Sequence, residues 1–151
     1  MKQGKIKEKE EHYYEYLFLL FAILVFCDRI LKTFVYDSCF SVFCIKRALN
    51  TGAAFGILPG MNWFFIAVAV LIIGAIILFI GEFRGISKLG LIFVAAGTAA
   101  NMIDRIFFSS VIDLFSVFGS ASFNFADICN LAGAIMLVIG ILKEKNKPKK
   151  P

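Results

Sequence analysis

Apolar residues in this chain fall in long unbroken runs, not in the two-residue alternation of a half-buried strand or the 3.6-residue stripe of a surface helix. Residues 61–80 (MNWFFIAVAVLIIGAIILFI) are twenty in a row without a charge. That is the length a helix needs to cross a hydrocarbon core of roughly 30 Å. Three shorter runs are alike in kind, at residues 16–27, 89–103 and 128–142. The run at 16–27 extends to about residue 36 through Asp28 and Arg29, and the run at 89–103 reaches 108 by including Asp104 and Arg105. The pattern predicts an all-α membrane protein with four transmembrane helices, at about 16–36, 61–80, 87–108 and 126–142. They make one membrane domain, 16–142, between an N-terminal tail (1–15) and a basic C-terminal tail (143–151).

Composition agrees, at 60% hydrophobic and 18% charged, more apolar and less charged than an ordinary globular domain. Charge then sets orientation. Lys2, Lys5, Lys7 and Lys9, then Arg84 and Lys88, then Lys143, Lys145, Lys147, Lys149 and Lys150 make eleven of the sixteen basic residues, all on the face that both termini share. The positive-inside rule makes that face cytoplasmic. The net charge of +5 reads as attraction to anionic membrane lipid, not to nucleic acid. No small-residue cleavage site follows the first apolar run, so no removable signal peptide is expected. The outer face is left with two segments, residues 37–60 and 109–124.

Cysteine and histidine narrow the chemistry. Cys27 and Cys129 fall in helices, where a thiol behaves as a small hydrophobe. Cys39 and Cys44 fall outside, where a disulfide is permitted, although their spacing carries no framework signal. The single histidine, His12, is in the N-terminal tail. A Ser-His-Asp triad, a Cys-His dyad or a histidine-based zinc site therefore cannot be built on the outer side, and no metal or organic cofactor is expected.

The lone polar residues in apolar sequence become the candidates. Asp113 and Asp127 lie fourteen apart, near the outer ends of the third and fourth helices. Antiparallel helices with a short link would bring them together. Two close carboxylates hold one proton between them, so one can take a proton from water while the other protonates a scissile amide. On spacing alone, helix capping by Asp127 and by Asp113 is the commoner outcome. Asn101, Asp104 and Arg105 sit near the outer end of the third helix, where ionisable groups face a bundle interior or a wet cavity. Arg105 has two readings, a ligand for a carbonyl or carboxylate and a structural ion pair with an aspartate. Asp28 and Lys32 are spaced i, i+4 in the favourable order for a local pair, or one of them orients a group across the bundle. Asn50 and Gly52 open a loop of small residues that suits a turn.

Taken in order, "DRILK", "NTGAAFGIL", "NMIDR", "VIDL" and "FNFAD" resemble the motifs of bacterial lipoprotein signal peptidase (signal peptidase II). The likeness runs nearly the whole way from Asp28 to Leu142, and it reverses the preference for capping. It implies four transmembrane helices with a small β-rich extracytoplasmic cradle. It implies an aspartic endopeptidase of the bacterial cytoplasmic (inner) membrane that removes the signal peptide of a diacylglyceryl-modified prolipoprotein, cutting just before the lipidated cysteine. Asp113 and Asp127 match the catalytic pair. Asn50, Gly52, Asn101, Arg105 and Asn124 match residues that bind substrate or support the pocket, and Asp28, Lys32 and Asp104 match structural polar positions. Inhibition by globomycin-type cyclic peptides and action as a monomer are further implications. The chain departs from the family pattern at Arg29, where Gln is usual, and at Ala100, where Gly is usual. Its link between the two aspartate motifs is short and lacks the usual Trp and Pro. The alternative is a small four-helix transporter or channel subunit that uses membrane carboxylates as ion sites.

Overall fold

A computed structural model describes residues 2–34, 37–40, 43–53, 57–117 and 121–146. The end of the first predicted helix at residues 35–36, Gly56 of the small-residue loop, part of the link between the aspartate motifs and the last five residues of the basic tail lie outside them. In chain order the elements are α1 (Lys2–Phe34), β1 (Ser38–Phe40), β2 (Phe43–Asn50), α2 (Asn62–Phe79), α3 (Gly85–Phe108), β3 (Val111–Val117), β4 (Ala121–Phe123) and α4 (Phe125–Lys145). A single 3-10 turn, Ile80–Glu82, follows α2.

Among the described residues, three helices are long and apolar enough to cross a membrane: Asn62–Glu82, Gly85–Phe108 and Phe125–Lys145. Helix α2 is largely exposed, with Trp63, Leu71, Ile77 and Leu78 each more than two-thirds accessible, while Ala69 and Ile76 are buried. A surface that apolar, on a helix whose backbone bonds are satisfied internally, is what lipid tolerates and water does not. Helix α3 is the opposite. Ala95, Ala96, Ala99 and Ala100 are buried along it, and it packs against α1, α2 and α4. Helix α1 runs back from its apolar run through the Lys- and Glu-rich segment to Lys2, residue types that favour helix when nothing opposes them.

The α3–α4 contact depends on missing side chains. A Cβ on Gly133 would lie 2.6 Å from the Gly90 carbonyl oxygen and 2.8 Å from the Val94 nitrogen. A Cβ on Gly97 would collide with the Ala126 carbonyl. Small residues let the two backbones approach, as in other membrane helix pairs.

The four strands form one antiparallel sheet in the order β1-β2-β3-β4. Cys39 and Cys44 are register partners in the β1–β2 hairpin, and they are joined as a disulfide with Cα atoms 4.1 Å apart. Ser109, in the left-handed region at φ 55°, ends α3 with its amide on the Arg105 carbonyl. That turn redirects the chain into β3, whose Val111, Ile112 and Leu114 are buried. The sheet thus hangs on the end of α3 and leads into α4.

Candidate active site

The turn at Ser109 places Asp113 in β3, opposite Ala48 of β2. Asp127 is in the first turn of α4. Both line one open cavity of about 220 Å³, bordered by α2, α3, α4, β3, the end of β2 and the loop after it. Its α2 wall is apolar, formed by Phe65, Val68, Ala69 and Ile72, while Asn50, Asn101, Arg105 and the two aspartates supply polar groups.

Asn124 joins the two carboxylates. Its side-chain Nδ2 donates to Asp113 Oδ1 at 3.0 Å, and its backbone N–H donates to Asp127 Oδ2 at 3.0 Å. Its Oδ1 in turn accepts the Asp127 amide at 3.0 Å. The last two bonds make a capping box at the start of α4, which satisfies two helix N–H groups that would otherwise have no partner. Asp127 therefore caps α4 and still faces the cavity, because capping occupies one oxygen and the other accepts from Asn101 Nδ2 at 2.9 Å. Asp113 caps no helix. It lies in a strand, and its Oδ2 accepts from Asn50 Nδ2 at 3.1 Å and from Ser122 Oγ at 2.7 Å. Asn50 is itself held by a tight turn in which its Oδ1 accepts the Gly52 amide at 2.9 Å, the Asx geometry expected of Asn two residues before Gly.

Of the two readings of Arg105, the structural ion pair is not formed: among the described residues it has no carboxylate partner. Its Nη2 donates to the Gly52 carbonyl at 2.6 Å, and its guanidinium lies 4.3 Å from the Phe65 ring centroid. Its Nη1 is buried without a partner. A planar cation seated on an aromatic face with a free N–H suits a carbonyl or carboxylate oxygen.

Both readings of Asp28 and Lys32 hold at once. They pair locally at 2.8 Å, and Lys32 Nζ also crosses to Asp104 Oδ2 at 2.7 Å and to Asn101 Oδ1 at 3.3 Å. Arg29, seen in the sequence only as a departure from a pattern, bridges Asp104 at 2.5 Å and Asp28 at 2.6 Å. Ser122 and Asn130 belong to the site as well and are absent from the candidates the sequence offers. Ser122 carries no charge and reaches Asp113 only because β3 and β4 pair. Asn130 lines the cavity and lies one helical turn after Asp127, so its spacing was a usable signal. Among the described residues, no three His, Cys, Asp or Glu side chains are grouped to hold a metal ion.

The profile of the family described as Signal peptidase (SPase) II matches residues 20–143. The Lipoprotein signal peptidase of Clostridium acetobutylicum is 34% identical over 146 residues, covering 85% of this chain and 95% of that protein. The Lipoprotein signal peptidase of Lactiplantibacillus plantarum is 30% identical over 147 residues, covering 89% and 98%. A bacterial membrane enzyme structure solved by the in meso method at 2.3 Å superposes with a TM-score of 0.80 at 24% identity, covering 91% of this chain and 94% of that one. It has the same fold.

Proposed function

The chain belongs to the signal peptidase II family, and from that premise we propose that Asp113 and Asp127 are its catalytic dyad. The protein is a membrane-bound bacterial protease that removes signal peptides from prolipoproteins. The observation that carries the dyad is Asn124, which bonds both carboxylates at the wall of one cavity.

One carboxylate takes a proton from a water between the two, and that water attacks the scissile carbonyl. The protonated partner hydrogen-bonds the carbonyl oxygen and later supplies the proton that the leaving amine needs. Asn50, Ser122 and Asn124 orient Asp113, and Asn101 orients Asp127. Arg105, with Gly52 beneath it, holds a carbonyl of the substrate through its free Nη1. The apolar α2 wall receives the apolar part of the signal peptide. The cut falls just before a cysteine that carries diacylglycerol.

The chain crosses the membrane four times, with 1–15 and 143–151 as cytoplasmic tails and the site near the outer face. Asp28, Arg29 and Lys32 interrupt the apolar stretch of α1. Those charges are paired inside the bundle, which removes most of their cost in lipid. The Cys39–Cys44 disulfide sits in the sheet beside the site and favours an oxidising compartment for that end. One chain holds both aspartates, so a monomer suffices, and globomycin-type cyclic peptides block the cavity. The transporter or channel reading is not favoured, since Asp28, the acid it would use on the first helix, is committed to Lys32 and Arg29. Cleavage of a diacylglyceryl-modified prolipoprotein by the purified chain tests the proposal.

A further inference from the structure

The charged cluster between α1 and α3 takes no part in the chemistry above, yet its bonds end beside both aspartates. Asp28 Oδ1 accepts the Ala126 amide at 3.0 Å. Asp104 Oδ2 accepts the Ile112 amide at 3.1 Å. Each amide belongs to the residue immediately before a dyad aspartate, one in the first turn of α4 and one in β3. The Ala126 N–H is among those a helix start leaves without an intrahelical acceptor, so the bond to Asp28 meets a real need.

The two acids are also fastened to each other, twice. Lys32 Nζ bonds Asp28 at 2.8 Å and Asp104 at 2.7 Å. Arg29 bonds Asp104 through Nη1 at 2.5 Å and Asp28 through Nη2 at 2.6 Å. Asn101 carries the cluster to the carboxylate itself, accepting from Lys32 at 3.3 Å and donating to Asp127 at 2.9 Å. Asp28, Lys32 and Asp104 are at most 2% exposed, and two acids balance two bases. A buried ion cluster is a poor way to gain stability, because apolar residues of the same volume do as well or better. What it offers instead is fixed geometry.

We propose that Asp28, Arg29, Lys32 and Asp104 form a brace that sets the spacing of Asp113 and Asp127, with Arg29 and Lys32 as parallel cross-links between the two acids. The inference rests on the dyad reading. A water shared by two carboxylates requires β3 and α4 to stay in register, and misplacement by about 1 Å costs on the order of 100-fold in rate. The cavity walls that bind substrate are left in place. Loosening the brace therefore lowers kcat and spares KM. These four are positioning residues, since none of them reaches the reacting atoms.

The test uses the full chain in lipid nanodiscs with a diacylglyceryl-modified signal-peptide substrate, and measures kcat and KM separately. Arg29→Gln, with Lys32 still bridging both acids, is expected to lower kcat about 3-fold, and Lys32→Met about 10-fold. The double variant is expected to lose about tenfold more than the product of the two, because no cross-link is left. KM stays within about twofold throughout. Amide hydrogen exchange supplies a readout independent of activity: Ile112 and Ala126 speed up in the double variant while the amides of α2 do not. Losses that simply multiply, a loss carried by KM, or exchange that rises equally in every helix would each overturn the brace. Asp28→Asn with Arg29→Gln keeps Lys32 and Asp104 as a neutral pair and guards against misfolding of the other double variant. It is expected to lower kcat at an unchanged unfolding temperature, and full kcat there counts against the proposal. If the unmutated chain fails to cut, the peptidase reading falls, and the exchange measurement still decides whether the brace exists.

Discussion

Asn124 touches both aspartates and caps α4 with the same side chain, so two substitutions there separate its roles. Asn124→Ala removes the cap acceptor and the donor to Asp113, and is expected to cost about 1 kcal/mol of stability together with most of the cleavage rate. Asn124→Asp keeps an acceptor for the Asp127 amide but turns an acid towards Asp113. Its thermal midpoint should stay near that of the parent while cleavage is lost, which thermal unfolding and a rate assay on the same sample would show. Arg105→Lys cannot both hold the Gly52 carbonyl and lie on Phe65. A charged hydrogen bond to substrate is worth about 1.5–3 kcal/mol, so KM is expected to rise while kcat holds. Most residues of the site were legible as candidates because a polar group isolated in apolar sequence has few reasons to be there. Ser122 was not, since a serine in a short polar link resembles any other. Arg29 was not either, since its role depends on α1 lying against α3, which no local spacing encodes.

At the scale of elements, the apolar runs marked all four helices, because a helix in lipid must be apolar over its whole exposed length, although α1 begins at Lys2, well before the predicted residue 16. Their ends came from other chemistry: Ser109 at positive φ and the Asn124 capping box. The sheet was not visible as a pattern. Its outer strands β1 and β4 have three residues each, too few to establish a two-residue period, and only the resemblance to a family anticipated it. The disulfide was hidden for a related reason. Cys39 and Cys44 are five positions apart in sequence, and it is hairpin register that makes them opposite partners. The glycines of the α3–α4 seam give this scale its prediction. Gly133→Ala places a methyl group against the backbone of Gly90 and Val94 and is expected to cost about 1–3 kcal/mol. Gly74→Ala in α2 meets nothing within 4 Å and should instead be neutral, or stabilising by about 0.5–1 kcal/mol. Thermal unfolding of both variants in one detergent checks the contrast.

For the molecule as a whole, the fold brings chemistry from four separate segments to one end of a helical bundle. The end of β2 brings Asn50, α3 brings Asn101 and Arg105, β3 brings Asp113, and the start of α4 brings Asn124 and Asp127. A membrane-held substrate must be cut where its lipid anchor allows, and a site at the ends of spanning helices meets that requirement. The proposed orientation of the molecule rests on where its basic residues fall along the chain. The meeting of the two aspartates is a property of tertiary packing, and sequence spacing alone favoured the wrong account of Asp113. The proposed four crossings put both termini on one side and the positive-inside rule makes that side cytoplasmic, so reporter fusions at the two termini should both report the cytoplasm. The central claim is that Asp113 and Asp127 act together, and the most direct test is the rate at which the purified chain cuts a diacylglyceryl-modified prolipoprotein before and after single substitution. Asp113→Asn and Asp127→Asn are each expected to lower kcat by about 100- to 10,000-fold while the substrate still binds. Cleavage at the parental rate by either variant would contradict the dyad.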